Sequence, residues 1–221
     1  MLFLGIDDAG RGPVLGPMVL AGVLVDEKTI KSFKKLGVKD SKLLTPKRRE
    51  FLAGEIKEKA EVFEVALAFP PEIDHGNHRG VDLNKIEAIK MAEVINKINN
   101  GFKKIKVLID CPSVGIRKWE DYLKTHIHNL SNLEIVCEHK ADKNYTAVAA
   151  ASIIAKSVRE KEMDELKSKY GKEIGSGYCH DPDTCKFLEK YAKKHKQDGL
   201  FRQSWKTWKK ACENIEQQKL G

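Results

Sequence analysis

Leu2-Phe3-Leu4-Gly5-Ile6-Asp7-Asp8-Ala9-Gly10-Arg11-Gly12-Pro13 opens the chain, and its reading sets the fold. The run from residue 2 to 6 is long enough for a buried strand and ends on two adjacent acids. Glycines and prolines at 10, 12, 13, 16 and 17 then break the pattern into a loop. Residues 18–25 are strand-like again, so the first two strands are expected as neighbours in one sheet. In a regular strand adjacent side chains leave from opposite faces. Asp7 and Asp8 therefore reach one site only if one of them lies at the strand's frayed end.

Three further strand candidates follow: 62–69, 105–109 stopping at Asp110, and 133–137 stopping near Glu138-His139-Lys140. Thr45-Pro46 ahead of Phe51, Leu52 and Ile56 predicts an N-cap, a proline in the first turn and an apolar helical face. Asn84-x-x-Glu87 resembles a capping box, with a stripe through Ile86, Ile89, Val94, Ile95 and Ile98. Residues 117–128 read as helical. Small and apolar residues on nearly every side of 146–158 predict a buried helix. Lysine-rich helical patterns continue over 160–169 and from Asp183 onward. Three early strands followed by helix–strand–helix–strand–helix predict a mixed α/β sheet of five strands flanked by helices. No strand candidate follows Ile174, so the expected division is a main domain over 1–173 and a helical extension over 174–221.

The 221 residues are 41% hydrophobic and 33% charged, enough for a real core and a solvated surface. Lysine and arginine exceed the acids by 40 − 32 = 8. That surplus favours polyanionic partners, nucleic acid first and an anionic membrane second. No apolar run approaches the ~18–20 residues of a membrane span, and no signal peptide opens the sequence. The expectation is a cytoplasmic protein without membrane attachment. Five cysteines form no paired framework and no C-x2-C half-site, so reduced thiols are expected rather than disulfides or structural zinc.

Asp7 and Asp110 each end an apolar strand, and Asp142 lies just before the buried helix. Ends of neighbouring central strands converge, so acids distant in sequence can meet there. Gathered carboxylates repel one another, and divalent Mg²⁺ or Mn²⁺ would relieve the repulsion with hard oxygen ligands. Two such ions could hydrolyse a phosphodiester without a Ser, His or Cys nucleophile. Taken singly, each acid reads more readily as a turn former or helix cap than as a catalytic group. Position alone leaves both readings open.

The glycine loop has rivals of its own. The dinucleotide pattern G-x-G-x-x-G fails because Leu15 stands where the third glycine belongs, and the nucleoside-triphosphate loop is absent. What remains is a tight loop with one arginine beside an acidic centre, suited to a sugar or phosphate at close range, or else a plain turn.

Gly5 through Pro17, with Asp7-Asp8-Ala9-Gly10-Arg11-Gly12 at its heart, closely resembles the opening motif of ribonuclease HII, the type 2 ribonuclease H. Lys39-Asp40-Ser41-Lys42 is similar to that family's D-S-K segment. His139-Lys140-Ala141-Asp142 with Ala150 to Lys156 resembles its fourth-acid block, and Gly175-Ser176-Gly177-Tyr178 its tyrosine motif. The wording is nearest to archaeal members. The resemblance implies an RNase H-like fold with a helical C-terminal extension. It also implies endonucleolytic hydrolysis of the RNA strand of RNA–DNA hybrids, and cutting 5′ of ribonucleotides embedded in DNA; the separate expectation is a monomer acting on nucleic acid. By that likeness Asp7, Asp8, Asp110 and Asp142 form the acidic cluster that holds two Mg²⁺ or Mn²⁺ ions. Gly10, Arg11 and Gly12 would sense the ribose 2′-OH, Tyr178 would stack on a sugar, and Ser41 and Lys42 would grip phosphate.

One departure stands out. The family carries glutamate where this chain has Asp8, one methylene shorter, so its oxygens fall ~1.5 Å short, and errors of about 1 Å can cost roughly two orders of magnitude in rate. A catalytically weakened or silent hybrid-binding variant is therefore the alternative to an active nuclease. A branched-DNA resolvase on the same fold is disfavoured by the resemblance, because the loop and Tyr178 read ribose.

Overall fold

The computed structural model describes residues 1–39 and 44–217. A five-stranded sheet has the order β3-β2-β1-β4-β5, where β1 is Leu2–Ala9, β2 Met18–Asp26, β3 Val62–Ala68, β4 Ile105–Asp110 and β5 Leu133–Glu138. β1 pairs antiparallel with β2 and parallel with β4, and β4 pairs parallel with β5. The sheet is mixed, as the strand pattern predicts, and all five strand candidates form within three residues of their expected limits.

The chain divides into two units. The first comprises Met1–Ala9, Val19–Leu67 and Asn84–Val158. Here two glycines let helices approach the central strands. A Cβ on Gly5 of β1 would overlap the backbone of Ala147 and Val148, in the first part of α7 (Thr146–Tyr170). A Cβ on Gly22 of β2 would meet Val94 and Ile98 of α4 (Leu83–Ile98) as well as Ile6. Gly22 lies opposite Ile6 in the register, and Gly5 is the preceding residue on the pleat. α7 therefore covers one face and α4 the other. On the α7 side Val19, Ala21, Val23 and Val25 pack with Ala150, Ala151, Ile153 and Ile154. Phe33 of α1 (Glu27–Leu36) and Leu52 and Ile56 of α2 (Pro46–Lys59) complete that core. Trp119 of α5 (Ile116–Lys124) donates its indole N–H to the Asn84 carbonyl at 2.9 Å.

The second unit comprises Gly10–Met18, Ala68–Leu83 and Arg159–Gly221. It holds α3 (Pro70–His78), the rest of α7, α8 (Pro182–Tyr191) and α9 (Lys206–Gln217). Its core gathers Val14 and Leu15 with Ile174, Phe187, Leu188, Leu200, Phe201 and Trp208. The expected division at residue 174 falls inside this unit. Among the described residues no helix is long and apolar enough to cross a membrane, and all five cysteines are free thiols.

Several helical expectations need correction. The capping box at Asn84 is misplaced, because α4 has already begun at Leu83 and Glu87 is fully buried in its core. The tail from Asp183 is two helices, α8 and α9, rather than one continuous pattern. Neither α1 nor α3 is foreseen. The N-cap at Thr45 forms as predicted, accepting from the Arg48 N–H at 3.3 Å.

The glycines give a paired test. Gly5→Ala should destabilise the protein by about 1–3 kcal/mol, because backbone rather than a flexible side chain must yield. Gly54→Ala lies on an exposed turn of α2 with nothing within 4 Å, and should stabilise by about 0.5–1 kcal/mol. Urea unfolding of the two variants should move the midpoint in opposite directions.

Candidate active site

β1 carries Asp7 to the point where its pairing with β4 stops. The β1–β4 ladder ends at Ile6↔Ile109, whereas pairing with β2 continues through Asp7↔Ala21 and Asp8↔Leu20 to Ala9↔Val19. The predicted fraying is thus one-sided, and both acids lie within the strand. Alternation sends Asp7, like Gly5, toward α7, where the side chain of Ser152 hydrogen-bonds to it. Asp8 follows the opposite pleat position and is half-buried, while Asp7 is only 4% exposed.

Burial pushes the Asp7 carboxyl well above its ordinary range, and the charges of Asp8 and Asp110 push it in the same direction. Hydrogen bonds from Ser152 and from the Asp8 N–H, the latter at 2.7 Å, oppose that rise without cancelling it. An ionised Asp7 is therefore an unbalanced negative charge in the interior.

Asp110 closes β4 opposite Glu138 of β5. The strand ends are tied further by the Cys111 N–H to the Glu138 carbonyl at 2.9 Å and by His139 Nδ1 against the Cys111 carbonyl at 2.9 Å. Lys140 then takes a left-handed conformation, φ 60° and ψ 33°, the single positive-φ residue other than glycine among those described. That turn starts α6 (Ala141–Asn144), whose Ala141 N–H donates to Asp110 Oδ1 at 3.0 Å. Asp110 so satisfies an orphan amide at the start of the helix on which Asp142 sits, 5% exposed. Asp142 is accordingly not the cap of the long buried helix: it occupies a short helix of its own, separated from α7 by the extended Tyr145.

The donor set suits a hard divalent cation: carboxylates, one of them buried among like charges. Asp8 and Asp110 both act electrostatically on Asp7, and Asp142 adjoins the amide that Asp110 holds. Among the described residues no three His, Cys, Asp or Glu side chains stand close enough to enclose a cation as they are placed.

Gly10, Arg11, Gly12 and Tyr178 lie in the second unit. Gly10 has φ +80°, and a Cβ there would overlap the Arg159 side chain. Gly12 lies beside Tyr178, whose ring edge is 3.9 Å from the place of a Cβ. The Arg159 guanidinium sits 5.2 Å from the Tyr178 ring centroid and donates to the Ser176 carbonyl at 3.3 Å. The Gly177 carbonyl accepts from the amides of Val14 (2.9 Å) and Leu15 (3.4 Å), joining the glycine loop to the tyrosine motif. Thr184, fully buried, accepts from the Gly177 N–H and donates to the Ile174 carbonyl, both at 2.9 Å. Asp181 caps α8, and hydrogen bonds from the Ser176 side chain and from the Ser176 N–H, the latter at 2.6 Å, lower its pKa. Ser41 and Lys42 lie outside the described residues. The sequence reading missed Ser152, Arg159 and Arg202. Ser152 stands inside the stretch 150–156 that carries the family resemblance but has no role of its own there, and the two arginines carry no local signal in a tail rich in basic residues.

A family model described as Ribonuclease HII matches residues 4–208. The ribonuclease HII of Pyrococcus furiosus is 40% identical over 216 residues, 97% of this chain and 93% of that protein. Among solved structures, the ribonuclease H2 from Pyrococcus horikoshii OT3 is similar at a TM-score of 0.87 and 37% identity, with 98% of this chain and 99% of that one covered. The PCNA:RNase HII complex from Archaeoglobus fulgidus is similar at 0.81 and 37% identity, with 93% and 96% covered.

The raised pKa of Asp7 has a definite sign in stability. A carboxyl whose folded pKa lies above its unfolded value favours the fold below the unfolded pKa and disfavours it once pH rises through the folded pKa. Asp7→Asn should therefore raise the melting temperature in chelator at neutral pH, by ~2–4 °C for each kcal/mol of repulsion removed. The gain should shrink as pH falls toward the ordinary carboxylate range. A melting series in pH for wild type and variant checks it.

Proposed function

The chain belongs to the ribonuclease HII family, the metal-dependent nucleases that act on RNA–DNA hybrids, and from that premise we propose how this sequence does so. It cuts the RNA strand of hybrids, and cuts 5′ of single ribonucleotides embedded in duplex DNA, leaving 3′-hydroxyl and 5′-phosphate ends. The observation that carries the reading is Asp7, a buried carboxylate whose charge is opposed by Asp8 and Asp110. Asp7, Asp8, Asp110 and Asp142 would hold two divalent ions, Mg²⁺ or Mn²⁺. When bound, those ions supply the polarisation of a water and of the phosphate oxygens.

The remaining work belongs to the chain's own residues. Ser152 fixes the orientation of Asp7, and the Ala141 N–H fixes that of Asp110. Gly10, Arg11 and Gly12 read the ribose 2′-OH, which DNA lacks. Tyr178, backed by Arg159, offers a ring for a sugar. Ser41 and Lys42 serve as phosphate contacts.

A second reading has its own observation. Asp8 occupies the pleat position opposite to that of Asp7 on a strand still paired with β2. A side chain starting from that position must reach back, and aspartate has one methylene less than the family's glutamate with which to do it. The chain then binds hybrids and turns over slowly.

A substrate panel separates the readings: a duplex with one ribonucleotide, a full RNA–DNA hybrid and an all-DNA duplex, each with Mg²⁺, Mn²⁺ or chelator. Metal-dependent cutting confined to ribose-containing strands is expected, and cutting of the all-DNA duplex would sink the proposal. Asp8→Glu should raise turnover by up to about two orders of magnitude. An unchanged rate with both metals would dismiss the slow-enzyme reading.

A further inference from the structure

The largest fully buried side chain among the described residues is charged: Arg202, at 0% exposure. A guanidinium has five N–H donors in a fixed plane, and leaving them unsatisfied in the interior is costly. Here they are spent on the glycine loop. Nε donates to the Gly16 carbonyl (3.2 Å), Nη1 to Arg11 (2.7 Å), and Nη2 to Gly10 (2.6 Å) and Gly16 (3.0 Å). The surrounding segment adds to this. The Arg202 N–H donates to the Val14 carbonyl at 2.9 Å, and the Trp205 indole donates to the Gly12 carbonyl at 3.2 Å. The Trp205 ring lies under the guanidinium, 5.1 Å from it. Asp74 of α3 holds the segment by accepting from the amides of Gln203 (2.7 Å) and Ser204 (2.9 Å) and from the Ser204 hydroxyl (2.6 Å).

The described peptide bonds are all trans. In a trans peptide the carbonyl and the following N–H point in opposite directions. Directing the Gly10 and Arg11 carbonyls at Arg202 therefore turns the N–H groups of Arg11 and Gly12 away from it. Gly12 is followed by proline, so the carbonyl taken by Trp205 has no N–H behind it. We infer that Arg202, with Trp205 beside it, is a positioning residue that sets the ribose preference by holding the Arg11 and Gly12 amides outward. The inference rests on the proposed role of Gly10–Gly12 as the ribose reader. Lysine cannot replace this arginine, because one ammonium cannot span three carbonyls arranged around a planar fork.

The test compares wild type, Arg202→Lys and Trp205→Phe as full chains. Each binds a duplex with one embedded ribonucleotide and the same duplex with a 2′-deoxy nucleotide there, with Ca²⁺ in place of Mg²⁺, followed by fluorescence anisotropy. Arg202→Lys should lose about tenfold or more of the ribose preference, and Trp205→Phe about threefold, with affinity for the all-deoxy duplex unchanged. A purely structural role would lower the melting temperature and leave the preference of the folded fraction intact. If Arg202→Lys does not fold, Trp205→Phe decides, since it keeps the ring and removes one N–H. Folded variants that retain the wild-type preference overturn the inference. A wild type without any ribose preference overturns the functional reading itself, and is seen before any variant is made.

Discussion

A carboxylate enclosed at the end of a central strand has to be balanced, and much of the first unit is arranged around the place where Asp7 meets that demand. The β1–β4 ladder stops one residue short of it. α7 comes close enough to supply Ser152 only because Gly5 has no side chain to hold the helix off. Asp110 is fixed by an amide of α6, and α6 exists where it does because Lys140 accepts a left-handed turn of the kind found at functional sites. The site is thus a local cost in stability, supported by an apolar core of sheet and helix.

How much of this could be read beforehand depends on whether the information was local. Residues 105–110 announce a strand ending in an acid by their own apolar run, and Thr45-Pro46 announces a helix start by its own chemistry. α1 was equally local, with Asp26 as N-cap, Ile30 and Phe33 on one face and Gly37 as the left-handed C-cap, yet its lysines mask the stripe. α3 opens on two prolines after Phe69, a start signal easily taken for a loop. At Asn84 the local chemistry misled, because tertiary burial of Glu87 overrode the capping pattern.

The site divides along the same line. The acids and the glycine loop could be picked out from where they stand in the sequence, and the family resemblance gave them roles. Arg202 could not: it is one arginine between Phe201 and Gln203, and nothing adjacent distinguishes it. Its meaning comes from carbonyls 186 to 192 residues away. Sequence patterns show which side chains sit on which element, but not which backbone oxygens need a donor.

That same arginine gives the glycine loop an electrical polarity. Each peptide unit is a dipole of about 3.5 D. At Gly10–Arg11 and Arg11–Gly12 the negative ends are buried against a cation, so the positive ends face the other way. Two tethered peptides then present what a helix presents at its first turn, a small fixed positive field, without needing a helix. Such a field is oriented before any substrate arrives, and it does not move or lose its charge when the acidity of the solution changes.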